Sequence, residues 1–338
     1  MGEYARSSAI ARAVKKRWPS AAVHFMLSRA APYAAQAPFP TTLLASSATF
    51  NSAAVIDFIR SWRPHVVVFD NAGRTAQLRA AQRLGAHIVY ISARRRQRAR
   101  AFRLRWMALI DEHWIAYPRF IAGDLSLLER LKLKLLRRPA VRYLDVIFSR
   151  PDAARRAQVL SQAHCEPGHY VLVVPGGGTG HPGAGAAVDE FLAAARNLAA
   201  GGVVTAFVGP ENSSRAAPGG PNFRALGTLP QADLAALMCG ARLIIANGGS
   251  TLLQSIACGS ACVAVPIARD QAARIRGCVA RGVAAAAELG AADIESKAIA
   301  LLGDEPARAA LARRASAMAL ADGIEVAVQA LGRFIEPR

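Results

Sequence analysis

The sequence predicts an α/β protein with two doubly wound domains, residues 1–150 and residues 151–338. Three observations support this fold class. The chain has 338 residues, of which 53% are hydrophobic, and this is enough for two cores. Short apolar runs alternate with segments of helical periodicity, as in parallel sheets covered by helices on both faces. Basic residues are concentrated in the first half, so the two halves differ in surface chemistry.

In the first half, the apolar periodicity predicts two helices and four strands. The helices are expected at residues 5–17 and 75–84, and the strands at residues 21–28, 65–70, 86–92 and 112–117. No strand precedes the first helix, although the first strand of a doubly wound sheet lies in its middle. We therefore expect the N-terminal domain to lack its first strand, because the natural reading frame starts upstream.

The second half continues the alternation after a crossing point near residues 149–151. The predicted elements are strands at residues 170–174, 203–208 and 261–267 and helices at residues 186–200, 231–239 and 294–334. Between them, residues 243–258 predict a buried strand, a glycine turn and a helix. This half therefore repeats the architecture expected for the first.

The first half carries almost all of the formal net charge of +19. Residues 1–150 contain 26 Lys and Arg against 8 Asp and Glu, a net of +18, whereas residues 151–338 contain 16 against 15, a net of +1. All four tryptophans are also in the first half. Such different electrostatics imply different partners. We expect the first domain to bind a large anionic molecule or surface.

Cysteine usage and hydropathy indicate a reducing compartment. None of the five cysteines forms a CxxC pair, and all lie in apolar or helical patterns, which is typical of inert buried thiols. No apolar run is long and uninterrupted enough to span a membrane, and no secretory signal is visible. We expect a cytoplasmic protein, with peripheral attachment to the inner membrane face as an open alternative.

The most informative segment is a glycine turn between a buried strand and a helix. It comprises Asn247, Gly248, Gly249, Ser250 and Thr251. Such a turn leaves free backbone N–H groups at the positive end of a helix dipole, which favours phosphate. Ser250 and Thr251 add hydroxyl donors, and Gln254 lies one helical turn further on. The alternative is that the glycines only permit a tight turn from strand to helix.

This pattern resembles the donor site of GT-B glycosyltransferases, especially the peptidoglycan-type enzymes that add N-acetylglucosamine to a lipid-linked acceptor. That family carries glycine, a small residue, any residue and threonine, followed by a glutamate that binds the ribose. Gln254 stands at the glutamate position, where a neutral amide binds a hydroxyl less strongly than a carboxylate does. The resemblance implies two Rossmann-like domains facing across a cleft, with a nucleotide-diphosphate sugar, in the first instance a UDP-sugar, held by the second domain.

The resemblance also implies further donor contacts. Asp270 and Gln271 match a sugar-contacting pair, although Arg274 stands where the family usually has asparagine. Alternatively, Asp270 is the N-cap of a helix. Leu229 is expected to contact the base. A glycine loop after the strand at residues 170–174 suits a diphosphate and supplies the remaining candidates, Gly177, Gly178, Thr179 and His181. For His181 the alternative is an ordinary solvated loop histidine.

An inverting transfer needs a base near the acceptor hydroxyl. Residues 2–6 resemble the GxGHxxR loop of the nucleotide-sugar hydrolase of pseudaminic acid synthesis, with Gly2 and Arg6 matching and Glu3 in place of the catalytic histidine. Asp70 follows a predicted strand, at the edge where open α/β sheets bind ligands. We rank Glu3 first and Asp70 second as the catalytic base and expect Arg6 to contact the acceptor. Purely structural roles for both carboxylates are the alternative.

Seven arginines occur in twelve residues, from Arg94 to Arg105, beside an apolar stripe at helical spacing. Such a helix suits anionic lipid headgroups, an anionic glycan or a pyrophosphate-linked acceptor. The residues predicted to contact the acceptor or the membrane are Arg94, Arg95, Arg98, Arg105 and Trp106. The alternative is an ordinary amphipathic helix with a solvated basic face. No recognised motif supports nucleic acid as a partner.

Together these patterns predict an inverting, metal-independent glycosyltransferase of the hexosyltransferase type, acting in cell-envelope polysaccharide synthesis. It would move a sugar from a nucleotide diphosphate to a lipid-linked or anionic cell-surface glycan. Because no DxD sequence occurs, we expect no metal and no cofactor, and a helix terminus and a cation would stabilise the departing diphosphate instead. The alternatives are a nucleotide-sugar hydrolase, with water as the acceptor, and a nucleotide-sugar-binding protein without catalysis.

Overall fold

The structure is a computed structural model that describes residues 2–31, 34, 37–176, 184–210 and 220–336. The chain forms two compact units. One consists of Met1–Ile147 together with Ala321–Arg338, and the other of Phe148–Leu320. Among the described residues, no helix is long and apolar enough to cross a membrane.

The first unit contains six strands and eight helices in the part of the chain described. Its strands are β1 (Phe25–Ser28), β2 (Thr41–Leu44), β3 (Val66–Asp70), β4 (His87–Ser92), β5 (Glu112–Ile115) and β6 (Ala140–Tyr143). Its helices, numbered in chain order, are α1 (Gly2–Arg17), α2 (Ser52–Trp62), α3 (Thr75–Arg83), α4 (Arg95–Ala101), α5 (Leu104–Met107), α6 (Arg119–Ala122), α7 (Leu127–Leu136) and α15 (Gly323–Ile335).

The strands of the first unit form two separate parallel sheets, β1-β2 and β3-β4-β5-β6. In the described residues, no backbone pairing joins β1 to β3. All four residues of β1 are only half-buried, and Val68 in the middle of β3 is 41% exposed. Apolar strands in the centre of a doubly wound sheet are normally buried. In the described residues, the first unit therefore has two separate parallel sheets, and β1 and β3 are less buried than the central strands of such a fold.

Both faces of β4 are buried, as the apolar sequence of the strand predicts. Ile88 and Tyr90 point into one core and Val89 and Ile91 into another. Successive side chains of a strand alternate between faces, so a strand buried on both sides reads as a continuous apolar run.

The C-terminal helix α15 packs in the first unit, whereas the predicted second domain extended to residue 338. The cause is its apolar face: Ala327, Ala330 and Leu331 share a core with Ile10 and Val14 of α1. The break between the units falls after Ile147, close to the predicted boundary at residue 150, and the chain crosses back at Ala321.

The second unit contains one six-stranded parallel sheet, in the order β12-β11-β10-β7-β8-β9. Its strands are β7 (Val171–Val174), β8 (Thr205–Phe207), β9 (Phe223–Ala225), β10 (Leu243–Asn247), β11 (Cys262–Val265) and β12 (Ala285–Ala286). Its helices are α8 (Ala153–Gln162), α9 (Ala184–Ala200), α10 (Gln231–Gly240), α11 (Ser250–Cys258), α12 (Arg269–Val279), α13 (Ala291–Gly303) and α14 (Glu305–Ala317). Every residue of β7, β10 and β11 is buried, which makes these three strands the centre of the unit.

All five cysteines are free thiols, and three of them are buried. Burial raises the pKa of Cys262 to about 12 and that of Cys278 to about 11, so both thiols stay protonated near neutral pH. Cys239 and Cys258 differ, because both are partly exposed and their sulfur atoms lie 3.1 Å apart.

Candidate functional site

The strand order of the second unit reverses between β7 and β10. From β7 the chain builds outward through β8 and β9, and it then returns to β10 on the other side of β7 and continues through β11 to β12. Ligands of open α/β sheets bind at the carboxyl ends of the two strands that flank such a switch point. The predicted glycine turn follows β10 directly, and the predicted glycine loop follows β7. The topology therefore places the glycine turn and the end of β7 at the same edge of the sheet.

Asn247 connects the end of β7 with the glycine turn. Its amide nitrogen donates to the carbonyl oxygen of Pro175 at 2.6 Å, and its amide oxygen accepts the backbone N–H of Gly249 at 2.6 Å. The side chain is buried, and both of these hydrogen bonds are to backbone atoms. Asn247, predicted as a donor contact, thus holds the end of β7 and the turn after β10 in one fixed arrangement.

The glycines of this region are required by close packing. A Cβ on Gly248 would lie 2.6 Å from Cδ1 of Ile275, and one on Gly249 would lie 2.5 Å from Oδ1 of Asn247. Gly176, with φ +90°, leaves no room for a Cβ beside the amide nitrogen of Asn247. These contacts support the alternative that the glycines permit a tight turn. That role and close approach of the backbone to a phosphate are compatible.

The turn opens α11 with an exposed N-terminal residue, Ser250. Gly249 is the N-cap and has no side chain to bond the N–H groups of the first turn, although its own N–H is bonded by Asn247. The first N–H groups of a helix have no intrahelical partner and carry the positive end of its dipole. Thr251 and Gln254, the other predicted contacts on this helix, are buried. Ser250 and the N–H groups beside it are therefore the part of the motif that a dissolved anion meets first.

Gln271 and Arg274 support the turn from α12. The amide oxygen of Gln271 accepts the backbone N–H of Ile267 at 3.0 Å. The side chains of Gln271 and Arg274 are both buried. Arg274 donates to the carbonyl oxygen of Gly248 at 2.5 Å and lies 3.4 Å from the carboxylate of Asp270. Arg274, noted in the sequence only as a departure from the family pattern, is thus a structural clamp on the turn.

Asp270 is exposed to solvent beside its contact with Arg274. Its side chain is 73% exposed and lies in the first turn of α12. The alternative that it is the N-cap is wrong, because Ala268 occupies that position and the helix begins at Arg269. A carboxylate in the first turn still interacts favourably with the helix dipole.

The remaining donor candidates are less well placed by the structure. Gly177, Gly178, Thr179 and His181 lie outside the described residues. Leu229 is half-buried in the segment after β9, where Gly227 accepts the backbone N–H of Gly209 at 3.1 Å. This hydrogen bond ties the segment to the end of β8, at the same carboxyl edge of the sheet as the glycine turn.

In the first unit, the predicted base residues lie together at the carboxyl end of β3. Arg6 donates from Nε to Asp70 at 3.0 Å and from a terminal nitrogen at 2.5 Å, and the Ser7 hydroxyl donates to the same carboxylate at 3.0 Å. Glu3 is exposed and accepts from the amide nitrogen of Asn71 at 2.7 Å. Residues 2–6 are the first turns of α1, whereas the predicted resemblance was to a loop.

The two carboxylates differ in electrostatic environment. Burial raises the pKa of Asp70 above its ordinary value, although the Arg6 guanidinium and the Ser7 hydroxyl oppose that shift. The charge of Asp70 is matched by a buried Arg6, whose side chain is only 8% exposed. Glu3 faces solvent and interacts with a neutral amide. Of the two, Glu3 is the one whose carboxylate remains accessible to a substrate.

The arginine-rich segment forms two short helices, α4 and α5, and part of it lies inside the unit. Trp106 is 2% exposed and donates its indole N–H to the Thr75 hydroxyl at 3.0 Å. Arg98 forms an ion pair with Glu129 and donates to the carbonyl oxygens of residues 122–124. Trp106 and Arg98 are therefore not surface contacts, because Trp106 is buried and Arg98 is hydrogen-bonded within the unit. The other predicted contacts, which are exposed, are Arg94, Arg95 and Arg105.

Solved structures resemble this chain in fold, whereas sequence comparisons find no relative. No protein-family model matches the chain, and no curated protein matches its sequence. Among solved structures, the glycosyltransferase VinC in complex with dTDP superposes with a TM-score of 0.66 at 15% identity, over 99% of this chain and 96% of that one.

Two further structures show the range of similar proteins. MurG from Acinetobacter baumannii has a TM-score of 0.60 and 15% identity, over 97% of this chain and 95% of its own. A UDP-N-acetylglucosamine 2-epimerase has a TM-score of 0.57 and 14% identity, over 100% of this chain and 94% of its own. These likenesses extend over nearly the whole length of each protein, with two units of parallel α/β structure in the present chain. The chain therefore has the GT-B fold predicted from its sequence.

Proposed function

We propose that this protein is an inverting, metal-independent glycosyltransferase that uses a nucleotide-diphosphate sugar, in the first instance a UDP-sugar. One observation carries the proposal: the exposed N-terminus of α11, whose glycine N-cap has no side chain, opens at the switch point of the second sheet. An unsatisfied helix N-terminus at that position is a site for phosphate. The solved structures of VinC with dTDP and of MurG support a nucleotide-sugar enzyme as the class.

In this proposal the diphosphate binds the N–H groups at the start of α11 and the Ser250 hydroxyl. Asp270, exposed on the neighbouring helix α12, accepts hydrogen bonds from sugar hydroxyls. The acceptor oxygen attacks the anomeric carbon, the bond to the diphosphate breaks, and the nucleoside diphosphate leaves. Stabilisation of that leaving group by the helix N-terminus is the electrostatic contribution of the second unit.

Glu3 is the proposed base for the acceptor hydroxyl, with Asn71 positioning it. The amide of Asn71 donates to Glu3, while its oxygen accepts the backbone N–H of Ala93 at 2.8 Å, just after β4. Asp70 is assigned to holding Arg6 instead of taking the proton, because its carboxylate already accepts from Arg6 and Ser7. The acceptor is proposed to be lipid-linked or an anionic cell-envelope glycan, which suits the net charge of +18 in residues 1–150.

Binding and turnover of the full chain test the proposal. UDP, dTDP, GDP and ADP are added separately, with and without EDTA, and the melting temperature is measured. Stabilisation by one nucleoside diphosphate that survives EDTA supports the donor site, and no stabilisation by any of them refutes it.

Turnover distinguishes the remaining alternatives. A transferase releases the nucleoside diphosphate only when an acceptor is present. A hydrolase releases it together with free sugar when only water is present, and a binding protein releases neither. The hydrolase is kept as the second candidate because Glu3 is exposed to solvent, from which water can reach it.

A further inference from the structure

Helix α7 exposes a continuous apolar face that the sequence analysis did not single out. Its ten residues read LLERLKLKLL, and the helix begins with a capping box between Ser126 and Glu129. Four leucines are largely exposed: Leu127 (77%), Leu128 (70%), Leu131 (62%) and Leu135 (76%). At 100° per residue they span one face of about 100°. Exposed apolar residues gathered on one face indicate an interaction surface.

The orientation of this face is fixed by the opposite side of the helix. Glu129 forms an ion pair with the poorly exposed side chain of Arg98, and Lys132 donates to the carbonyl oxygen of Phe102 at 3.1 Å. Leu133 and Leu136, also away from the exposed face, are partly buried. These contacts hold α7 against α4, so the four leucines are directed away from the unit by its own packing.

The charges beside the leucines are almost all positive. Arg130 and Lys134 are exposed along one edge of the apolar face, and Arg137 follows directly after the helix. The only acidic residue of α7, Glu129, is already paired with Arg98. An amphipathic helix with leucines on one side and exposed basic residues beside them matches the interface of an anionic bilayer.

A fifth exposed leucine, Leu104, lies outside α7 but close in the chain to a residue that α7 contacts. Leu104 is 57% exposed and stands between Arg103 and Arg105, which are also exposed. It comes two residues after Phe102, whose carbonyl oxygen contacts Lys132 of α7. An exposed leucine flanked by arginines therefore also occurs at the start of α5, and it adds apolar and basic surface of the kind found on α7.

We propose that α7 is an interfacial helix that lies on the surface of an anionic membrane. The four leucines enter the boundary between headgroups and acyl chains, and Arg130 and Lys134 contact the lipid phosphates. With ten residues the helix is about 15 Å long, half of the hydrocarbon thickness of about 30 Å, so it lies along the bilayer and does not cross it. Membrane docking rests on the proposed function only in favouring a lipid-linked acceptor. It does not depend on nucleotide binding.

Vesicle sedimentation of the full chain tests the proposal. The wild-type protein should sediment with vesicles of phosphatidylglycerol and phosphatidylcholine in equal parts, and at least about tenfold less with phosphatidylcholine alone or at high salt. The double variant L128Q/L131Q should lose at least about tenfold in binding to the anionic vesicles. R130Q/K134Q should lose the dependence on anionic lipid.

The matched control is Leu289→Gln, because Leu289 is 43% exposed in the second unit, away from α7 in the chain. This variant should bind vesicles like the wild type. Melting temperatures of all variants, with and without UDP, report folding and donor binding separately, so failure of the membrane proposal is distinguishable from failure of the proposed function.

Two results would overturn the membrane proposal. One is unchanged vesicle binding by a folded L128Q/L131Q variant. The other is a wild-type protein that self-associates without vesicles and becomes monomeric in L128Q/L131Q, because the leucines would then join two copies of the chain or bind another protein.

Discussion

A single added charge at Ser250 should separate donor binding from folding. In Ser250→Asp, the new carboxylate stands in the exposed first turn of α11. There it favours the helix dipole by about 0.3–1 kcal/mol, so the free protein should melt at an unchanged or slightly higher temperature. A diphosphate bound at the same N–H groups meets a like charge at about 4 Å, where repulsion is about 1 kcal/mol in bulk water and about 4 kcal/mol at an effective dielectric constant of 20.

This repulsion predicts a nucleotide affinity at least about fivefold weaker, measured by calorimetry with UDP and dTDP. Ala292→Asp is the control, since it adds the same charge to an exposed position in the first turn of another helix, α13. It should bind nucleotide like the wild type. Ser250→Ala removes the hydroxyl without adding charge and should weaken binding less than Ser250→Asp. If Ser250→Asp binds the nucleotide as tightly as the wild type, the phosphate does not lie at this helix.

Other residues predict effects on stability and turnover. Burial lowers the pKa of His113 from 6.5 to about 3, so protonation favours the unfolded state as pH falls below 6.5. Between pH 7 and pH 5, the free energy of unfolding measured with urea should fall by about 2 kcal/mol more for the wild type than for His113→Gln. Equal losses in the two proteins would contradict this. Arg274→Met should destabilise the protein by about 1–3 kcal/mol, because a carbonyl in the glycine turn loses its donor, and Arg274→Lys should recover part of this. Glu3→Gln should slow turnover by about 100-fold with unchanged nucleotide affinity. Asp70→Asn should chiefly lower stability, by about 3–5 kcal/mol, since it leaves the buried Arg6 without its carboxylate. If Asp70→Asn instead slows turnover and Glu3→Gln lowers stability, Asp70 is the base and Glu3 has the structural role.

The parts of the fold that the sequence predicts best are the strands buried on both faces. β7 and β11, which are buried at every residue, lie within the predicted strands at residues 170–174 and 261–267. A strand covered on both faces reads mostly as a continuous apolar run, so its sequence identifies it without knowledge of its neighbours. The alternation of such strands with helices was then sufficient to predict two parallel α/β domains.

Shorter and partly exposed elements escaped prediction for the opposite reason. β2 has four residues, of which one is buried, and α7 has an apolar face that no described element of its unit covers. Neither shows the burial that creates a recognisable pattern. The prediction placed α15 in the second domain for another reason. Its amphipathic sequence indicates that one face packs against a core, but it does not indicate which core.

Long-range pairs mark the limit of prediction at the candidate site. Arg6 and Asp70 were each selected from the sequence, one as an acceptor contact and the other as a base, but they are 64 residues apart and their ion pair is visible only in the structure. The same holds for Arg274, whose contact with Gly248 spans 26 residues. Local motifs therefore proposed the candidate residues, whereas the contacts between these residues required the fold.

Packing alone explains the glycines of the turn. Gly248 and Gly249 would be needed here even without a ligand, because a Cβ at either position collides with Ile275 or Asn247. Their presence therefore does not distinguish a phosphate site from a tight turn. The distinguishing features are those that packing does not require: an exposed Ser250 at a helix N-terminus, at the switch point of the sheet. A substitution that leaves the glycines intact and changes only Ser250 is for that reason the sharper test of donor binding.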